Sequence, residues 1–169
     1  MITSATITDL PDILKIYEHA RSFMDENGNP AQWAGGYPQR ELLLQDIERG
    51  QLYLCRDTRT VYGVFAFIIG DDKTYARIEN GSWLSDAPYG TIHRIAGNGR
   101  GRSVFAEVLS WCEKKIPHLR IDTHRDNHVM QHLIVKHGFR ECGTIYVSDG
   151  SPRIAYEKIP EGISENFSK

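Results

Sequence analysis

The chain reads as an α/β protein built on a mixed sheet of about six to seven strands with about four flanking helices. Three observations carry that expectation. Helical period and strand-like runs alternate along the chain, a strand feeds through a glycine-rich loop straight into a helix near residue 100, and antiparallel strand runs stand on both sides of that crossover. At 169 residues the chain is long enough to bury a sizeable core and short for two domains. Residues 1–159 are therefore expected to form one domain, and 160–169, PEGISENFSK, a loose tail.

Each element has its own signal. Over residues 11–24, Ile13, Ile16, Tyr17, Ala20, Phe23 and Met24 recur at i, i+3, i+4 behind a Thr8/Asp9 cap and an early proline, which predicts an amphipathic helix. The next segment, ENGNPAQWAGGYP, is dense in Gly, Pro and Asn yet carries Trp33 and Tyr37, so a loop that covers something is expected there. QRELLLQDIERG repeats the helical period and stops on Gly50. Three strand-like runs follow, QLYLCR, VYGVFAFIIG and YARIENGSWL; the second is apolar on both faces and belongs in the middle of a sheet.

DAPYG then turns the chain into TIHRIA, and after the glycine loop a helix resumes over residues 104–115 with Val104, Phe105, Val108, Leu109, Trp111 and Cys112 on its buried side. HLRIDT is a further strand. Asn127 caps a helix carrying Val129, Met130, Leu133, Ile134 and His137, which Gly138 ends. Two strands around an Asp149-Gly150 turn complete the order α α β β β β α β α β β.

Composition removes several function classes. With 20 Lys and Arg against 22 Asp and Glu the formal charge is -2, which gives no overall reason to expect a nucleic-acid partner. No stretch approaches the length of a membrane span, and the opening MITSATITDLPD lacks the basic flank and apolar run of a secretory signal, so neither membrane nor export is expected. Cys55, Cys112 and Cys142 are odd in number and lack metal-type spacing. Buried thiols in a reducing, cytoplasmic setting are expected.

The stretch RIAGNGRGRSVF, residues 94–105, carries the chemistry. Gly97, Gly99 and Gly101 between a strand and a helix start let backbone N–H groups converge on an anion, because no Cβ blocks the approach and the helix end adds its positive dipole. Arg100 and Arg102 add charge. A plain basic turn with nothing bound is the bland alternative. A dinucleotide site has Asp122 in its favour, about 20 residues on, but the spacing is G-x-G-x-G and Arg102 stands where a third glycine belongs. No Gly-Lys-Ser/Thr follows, which excludes a Walker loop.

Taken with its neighbours, the segment resembles the acyl-coenzyme-A-binding core of the GNAT superfamily of N-acetyltransferases. The likeness covers nearly the whole chain: the N-terminal helix pair, the strand run, TIHRIA with its loop and helix, HLRIDTHRDN, and VMQHLIVKHGF closing on Gly138-Phe139. It implies a GNAT-like mixed sheet whose central parallel pair splays, with acetyl-CoA as co-substrate and no metal. It further implies that Ile95, Ala96, Gly97, Gly99, Arg100, Gly101, Arg102, Ser103 and Val104 contact the donor, its pyrophosphate on the loop and its acyl carbonyl near the Ile95 N–H. Asn127 is implied to reach the pantetheine in addition to capping its helix.

Three positions depart from the family pattern. The glycines of Arg/Gln-x-x-Gly-x-Gly/Ala fall on Ser103 and Phe105, and the tyrosine that many relatives carry before Gly-Phe is Ile134, which has no proton to give. Phe105 either narrows the pyrophosphate site or sets the helix depth as a core residue; its place on the apolar side favours the core.

Acylation of an amine by a thioester needs an unprotonated amine, stabilisation of the carbonyl oxygen and protonation of a thiolate whose ordinary pKa is about 8.5. His93 on the TIHRIA strand has the pKa range of a base, although a strand histidine also serves structurally. Glu79, His124 and the Tyr146 hydroxyl are the other candidates for proton transfer. Trp33, Tyr37, Trp83 and Tyr89 are read either as core or as the aromatic wall of an acceptor pocket, with Arg21 or Asn27 orienting a polar group. His128 and His132 stand at i, i+4 with His124 upstream, but no carboxylate completes a metal motif and no metal is expected.

The expected function is transfer of an acetyl group from acetyl-CoA directly to the amine of a small molecule or peptide, with monomer and homodimer both open. A GNAT-like domain that binds CoA or a small molecule without turnover is the first alternative. An NAD(P)-dependent oxidoreductase is the second.

Overall fold

The computed structural model describes residues 1–100 and 103–162. Seven strands form one mixed sheet: β1 (Ile2–Ser4), β2 (Leu52–Arg56), β3 (Val61–Ile69), β4 (Gly90–Gly97), β5 (Leu119–Thr123), β6 (Arg140–Tyr146) and β7 (Pro152–Lys158). Their spatial order is β1-β2-β3-β4-β5-β7-β6. Four helices flank it, α1 (Leu10–Glu26), α2 (Arg40–Glu48), α3 (Val104–Glu113) and α4 (His128–Lys136). The expected class holds, including the parallel pair: β4 and β5 register at Gly90↔Leu119 and Thr91↔Arg120. The described residues form two compact units, Met1–Phe67 with Ile92–Trp111, and Ile68–Thr91 with the chain from Cys112 onward. Residues 163–169 of the expected tail, like Gly101 and Arg102 of the loop, lie outside the described residues.

In the first unit, strand alternation sorts the core. The ladder pairs Leu52 with Ala66 and Leu54 with Val64 on one face, and Tyr53 with Phe65 and Cys55 with Gly63 on the other. The first face joins Ile13, Ile16 and Tyr17 of α1, Leu43 of α2 and Ala96 of β4 in one apolar cluster. The second packs Tyr53, tilted, and Phe65, edge-on, against Trp111 of α3 at 4.7 and 5.7 Å. Val104 sits so close to β3 and β4 that a β carbon on Gly63 would lie 2.8 Å from it, and one on Gly97 3.0 Å. Phe105 is buried, as its side of the helix predicts.

In the second unit, β7 lies between β5 and β6 and pairs antiparallel with both. Its interior is unusually polar. The Glu157 carboxylate, fully buried, accepts from His118 Nε2 at 2.6 Å, Arg120 Nε at 2.9 Å and the Leu84 amide. His118 Nδ1 meets the Pro88 carbonyl oxygen at 3.1 Å, so both ring nitrogens are engaged. The Arg120 guanidinium also donates to the Ser85 carbonyl and lies between the rings of Trp83 and Tyr89, 4.0 and 3.9 Å from their centroids. This cluster ties the segment 83–89 to β5 and β7.

Three expectations are corrected. Residues 75–84, YARIENGSWL, are not a strand: a short 3-10 turn, Lys73–Tyr75, leads into irregular chain that touches the sheet in a single antiparallel bridge, Glu79↔Thr144. Asn80 at φ +57° breaks the extended run, and Trp83 turns back to donate its Nε1–H to the Tyr75 carbonyl. Glu79 therefore stands on a loop. The seventh strand is instead β1, three residues paired with Tyr53, Leu54 and Cys55, too short for a period to show. The expected Asp9 cap also works differently. Its carboxylate accepts from the Thr6 amide and hydroxyl, both at 2.8 Å, and from Arg56 at 2.8 Å.

All three cysteines are free and buried, and burial pushes the Cys55 and Cys142 thiols up to about 12. Among the described residues no helix is long and apolar enough to cross a membrane.

Candidate active site

In the first unit, β4 delivers the chain into the glycine loop. His93, Arg94 and Ile95 are half-buried, Ala96 is buried, and Gly97 packs on Val104. The Asn98 amide donates to the Tyr62 carbonyl at 3.0 Å, while its side-chain oxygen accepts from the Arg100 amide at 3.2 Å. Gly99 adopts φ +72°, and a β carbon there would stand 2.6 Å from Nε2 of His19. The left-handed turn thus brings bare backbone beneath an α1 histidine. Ser103 then leads into α3, its carbonyl accepting from the Glu107 amide at 3.3 Å. The one acid of that first turn, Glu107, accepts from the Tyr62 hydroxyl at 2.7 Å and the terminal ammonium at 3.3 Å, which offsets its charge. No carboxylate occurs from Gly97 to Ser103. Bare glycine backbone, a helix start and arginines suit a phosphate-bearing ligand.

Arg94 is the backbone outlier of β4, at φ +52°. Its guanidinium donates to Asp46 of α2 at 2.5 Å, and its carbonyl accepts from the Tyr17 hydroxyl at 2.8 Å. Burial works against the Arg94 charge, but Asp46, with Tyr37 and Tyr17, outweighs it and raises the arginine pKa.

Of the expected acceptor residues in this unit, three come together. Arg21 donates to the Tyr37 carbonyl at 3.2 Å, and the buried Trp33 lies edge-on to Tyr17 at 5.6 Å and tilted to Tyr37 at 6.4 Å. Asn27 stands apart, its amide nitrogen capping α1 through the Phe23 carbonyl at 2.8 Å. In the second unit Trp83 and Tyr89 are occupied in stacking on Arg120.

The second unit joins two of the proton-transfer candidates. Tyr146, 38 % exposed, donates its hydroxyl proton to Glu79 at 2.8 Å, and Arg77 pairs with the other carboxylate oxygen. The Tyr146 hydrogen bond, followed by Arg77, lowers the Glu79 pKa, and the same contact raises that of Tyr146. Glu79 is held ionised and Tyr146 holds its proton. His124 is different: burial first, then Arg153, lower its pKa, and its Nδ1 accepts from the Asp126 amide at 3.1 Å. The neutral ring therefore keeps its proton on Nε2.

Asn127 caps α4, its oxygen accepting from the Met130 amide at 3.0 Å, as the sequence predicts. Ile134 is wholly buried in the same helix. His128 and His132 are exposed, and among the described residues no group of three His, Cys, Asp or Glu side chains is placed to hold a metal ion. Sequence reading did not single out Tyr17 and Asp46 as site residues, or Arg120 and Glu157 as a buried pair. The one available signal was an acid, Asp46, inside the otherwise periodic helix QRELLLQDIERG.

No protein-family model and no curated protein sequence matches the chain. Solved structures do. A GNAT family acetyltransferase from Streptococcus agalactiae 2603 shares 32% identity over 95% of each chain, with a TM-score of 0.86. One from Listeria monocytogenes 4b F2365 shares 20% over 94% of this chain and 93% of its own, TM-score 0.70. The yncA protein of Salmonella typhimurium, solved with its cofactor acetyl-CoA, shares 16% over 99% and 98%, TM-score 0.61. The last two share the fold alone. On the first likeness, which runs nearly end to end, the chain belongs to the GNAT family of acetyltransferases.

Proposed function

We propose that the protein is an acetyl-CoA-dependent N-acetyltransferase that moves the acetyl group directly to an acceptor amine. The observation that carries this reading is the passage from β4 through the left-handed Gly99 into α3, free of carboxylates and followed by a helix start. The pyrophosphate of the donor belongs on the N–H groups of that loop, with Arg100, Gly101 and Arg102 adding donors and charge. The pantetheine runs along β4, bringing the acyl carbonyl to the Ile95 N–H. Acetyl-CoA supplies the activated acyl group.

In the transfer, the amine nitrogen forms a bond to the acyl carbon, negative charge gathers on the oxygen facing the Ile95 N–H, and the carbon–sulfur bond breaks. His93 is the base for the nitrogen's proton, which then returns to the departing sulfur, so no separate acid is required. Glu79 is a poor base, because Tyr146 and Arg77 hold it ionised. Arg21, Trp33 and Tyr37 supply the polar and aromatic wall that orients the acceptor.

Gly99→Ala tests the loop. The His19 ring can swing aside, so the main cost is an alanine held at φ +72°, about 1–2 kcal/mol, which weakens acetyl-CoA by roughly tenfold in a calorimetric titration. Unchanged affinity places the pyrophosphate elsewhere. Tight binding with no thiol release over a broad amine panel favours a binding module, the reading to which the buried Ile134 points.

A further inference from the structure

Arg94 is a strained residue that the reaction scheme above does not use. At φ +52° inside a strand, a residue with a β carbon costs on the order of 1 kcal/mol and persists only where its surroundings over-determine it. Here they hold it from two ends. Asp46 of α2, 3% exposed, takes the guanidinium at 2.5 Å, and Tyr17 of α1, fully buried, donates to the carbonyl oxygen at 2.8 Å. Tyr17 is itself fixed by Trp33, edge-on at 5.6 Å.

The carbonyl that Tyr17 holds belongs to the peptide joining Arg94 to Ile95. A trans peptide is planar, with its C=O and N–H pointing opposite ways. Fixing the oxygen toward α1 therefore fixes the Ile95 N–H away from α1. The hydroxyl also polarises the peptide through its oxygen, which makes the N–H a stronger donor. A left-handed residue within a strand turns the adjoining peptide out of the regular ladder, which is how a bulge re-aims a group. Tyr17 and Asp46 thereby govern one N–H, and it is the one the proposed function sets against the acyl oxygen.

We infer that Tyr17 and Asp46 are positioning residues for acyl transfer: Tyr17 aims and polarises the Ile95 N–H through the Arg94 carbonyl, and Asp46 keeps Arg94 in the turn that allows it. This rests on the acetyl-CoA reading of the site. Neither side chain is assigned a contact with the donor or the acceptor, so their loss is expected to change how the bound thioester is polarised more than how tightly it binds.

The test is the infrared carbonyl band of acetyl-CoA carrying a 13C label at the thioester carbonyl, free and bound. The wild-type protein is expected to shift that band to lower frequency. Tyr17→Phe keeps the ring and its Trp33 contact, and should retain affinity to within about threefold while losing at least half of the shift. Asp46→Asn should act in the same direction, and decides the matter if Tyr17→Phe does not fold. A merely structural tyrosine lowers the melting temperature and leaves the band in place. The full wild-type shift in either folded variant overturns the positioning role alone; failure of the wild-type protein to bind acetyl-CoA overturns the functional reading and this inference with it.

Discussion

Glu157→Gln lowers the melting temperature by about 10 °C, from a loss of about 3–5 kcal/mol. The size follows from what is left behind. Arg120, 5% exposed, and His118, 1% exposed, both bond to this carboxylate, and an amide neither balances the buried Arg120 charge nor offers two acceptor oxygens to these partners and the Leu84 amide. Burial raises the Glu157 pKa, but the hydrogen bonds from His118 and the Leu84 amide together with the Arg120 charge outweigh it, so the folded value lies below the ordinary 4.5. A lowered carboxyl contributes stability above its unfolded pKa and loses it as pH falls through the folded one. Wild-type stability should thus decline as pH drops below about 4.5, and the variant should show a flatter acid limb. Denaturant melts at several pH values check both. An acid limb as steep as that of the wild type would show that Glu157 is not ionised in the folded protein.

Gly81→Ala is expected to be nearly as damaging, by about 3 kcal/mol. A β carbon at Gly81 would lie 1.8 Å from the Cys142 carbonyl oxygen and 2.8 Å from its carbon, and backbone cannot swing aside as a side chain can. Across the same contact, a β carbon on Gly143 would lie 2.5 Å from the Glu79 carbonyl oxygen. The two glycines are what let the 78–81 segment reach β6. Relief of the clash must break the Glu79↔Thr144 bridge, whose two hydrogen bonds measure 2.9 and 2.7 Å. Glu79 then leaves Tyr146, and the phenol, which that carboxylate holds up, titrates at lower pH. Hydrogen exchange at the Thr144 amide and NMR titration of Tyr146 read the two effects. A protected Thr144 amide in the variant would contradict this account of the contact.

The helices and the middle strands were legible because a repeated pattern records one buried face over many residues. The apolar positions of α1 and the two-sided apolar run of β3 are of that kind. β1 was not, since three residues hold no period. YARIENGSWL has the aromatic and branched residues of a strand, but they pack in a loop: the buried Tyr75 sits under the half-buried Trp83 and donates its hydroxyl to Asp122 at 2.6 Å. Composition reports burial there and not extension.

The site divides in the same way. The glycine loop and the Asn127 cap are local, so spacing shows them. The pairing of Glu79 with Tyr146 joins residues 67 apart, and that of Arg94 with Asp46 joins residues 48 apart. Neither pair leaves a mark in either segment alone. Glu157 is the clearest case, a carboxylate within the strand PRIAYEK whose partners on β5 and before it decide that it is buried and charged.

The central claim is transfer of an acetyl group from acetyl-CoA to nitrogen. It is tested by incubating the full chain with acetyl-CoA labelled in the acetyl group and a panel of primary amines, then measuring labelled amide and free thiol by mass spectrometry. The account predicts one labelled N-acetyl product per thiol released on at least one amine, with Gly99→Ala slower at subsaturating donor. Thiol release with the label recovered only as acetate, or donor bound with no thiol released on any amine, would contradict it.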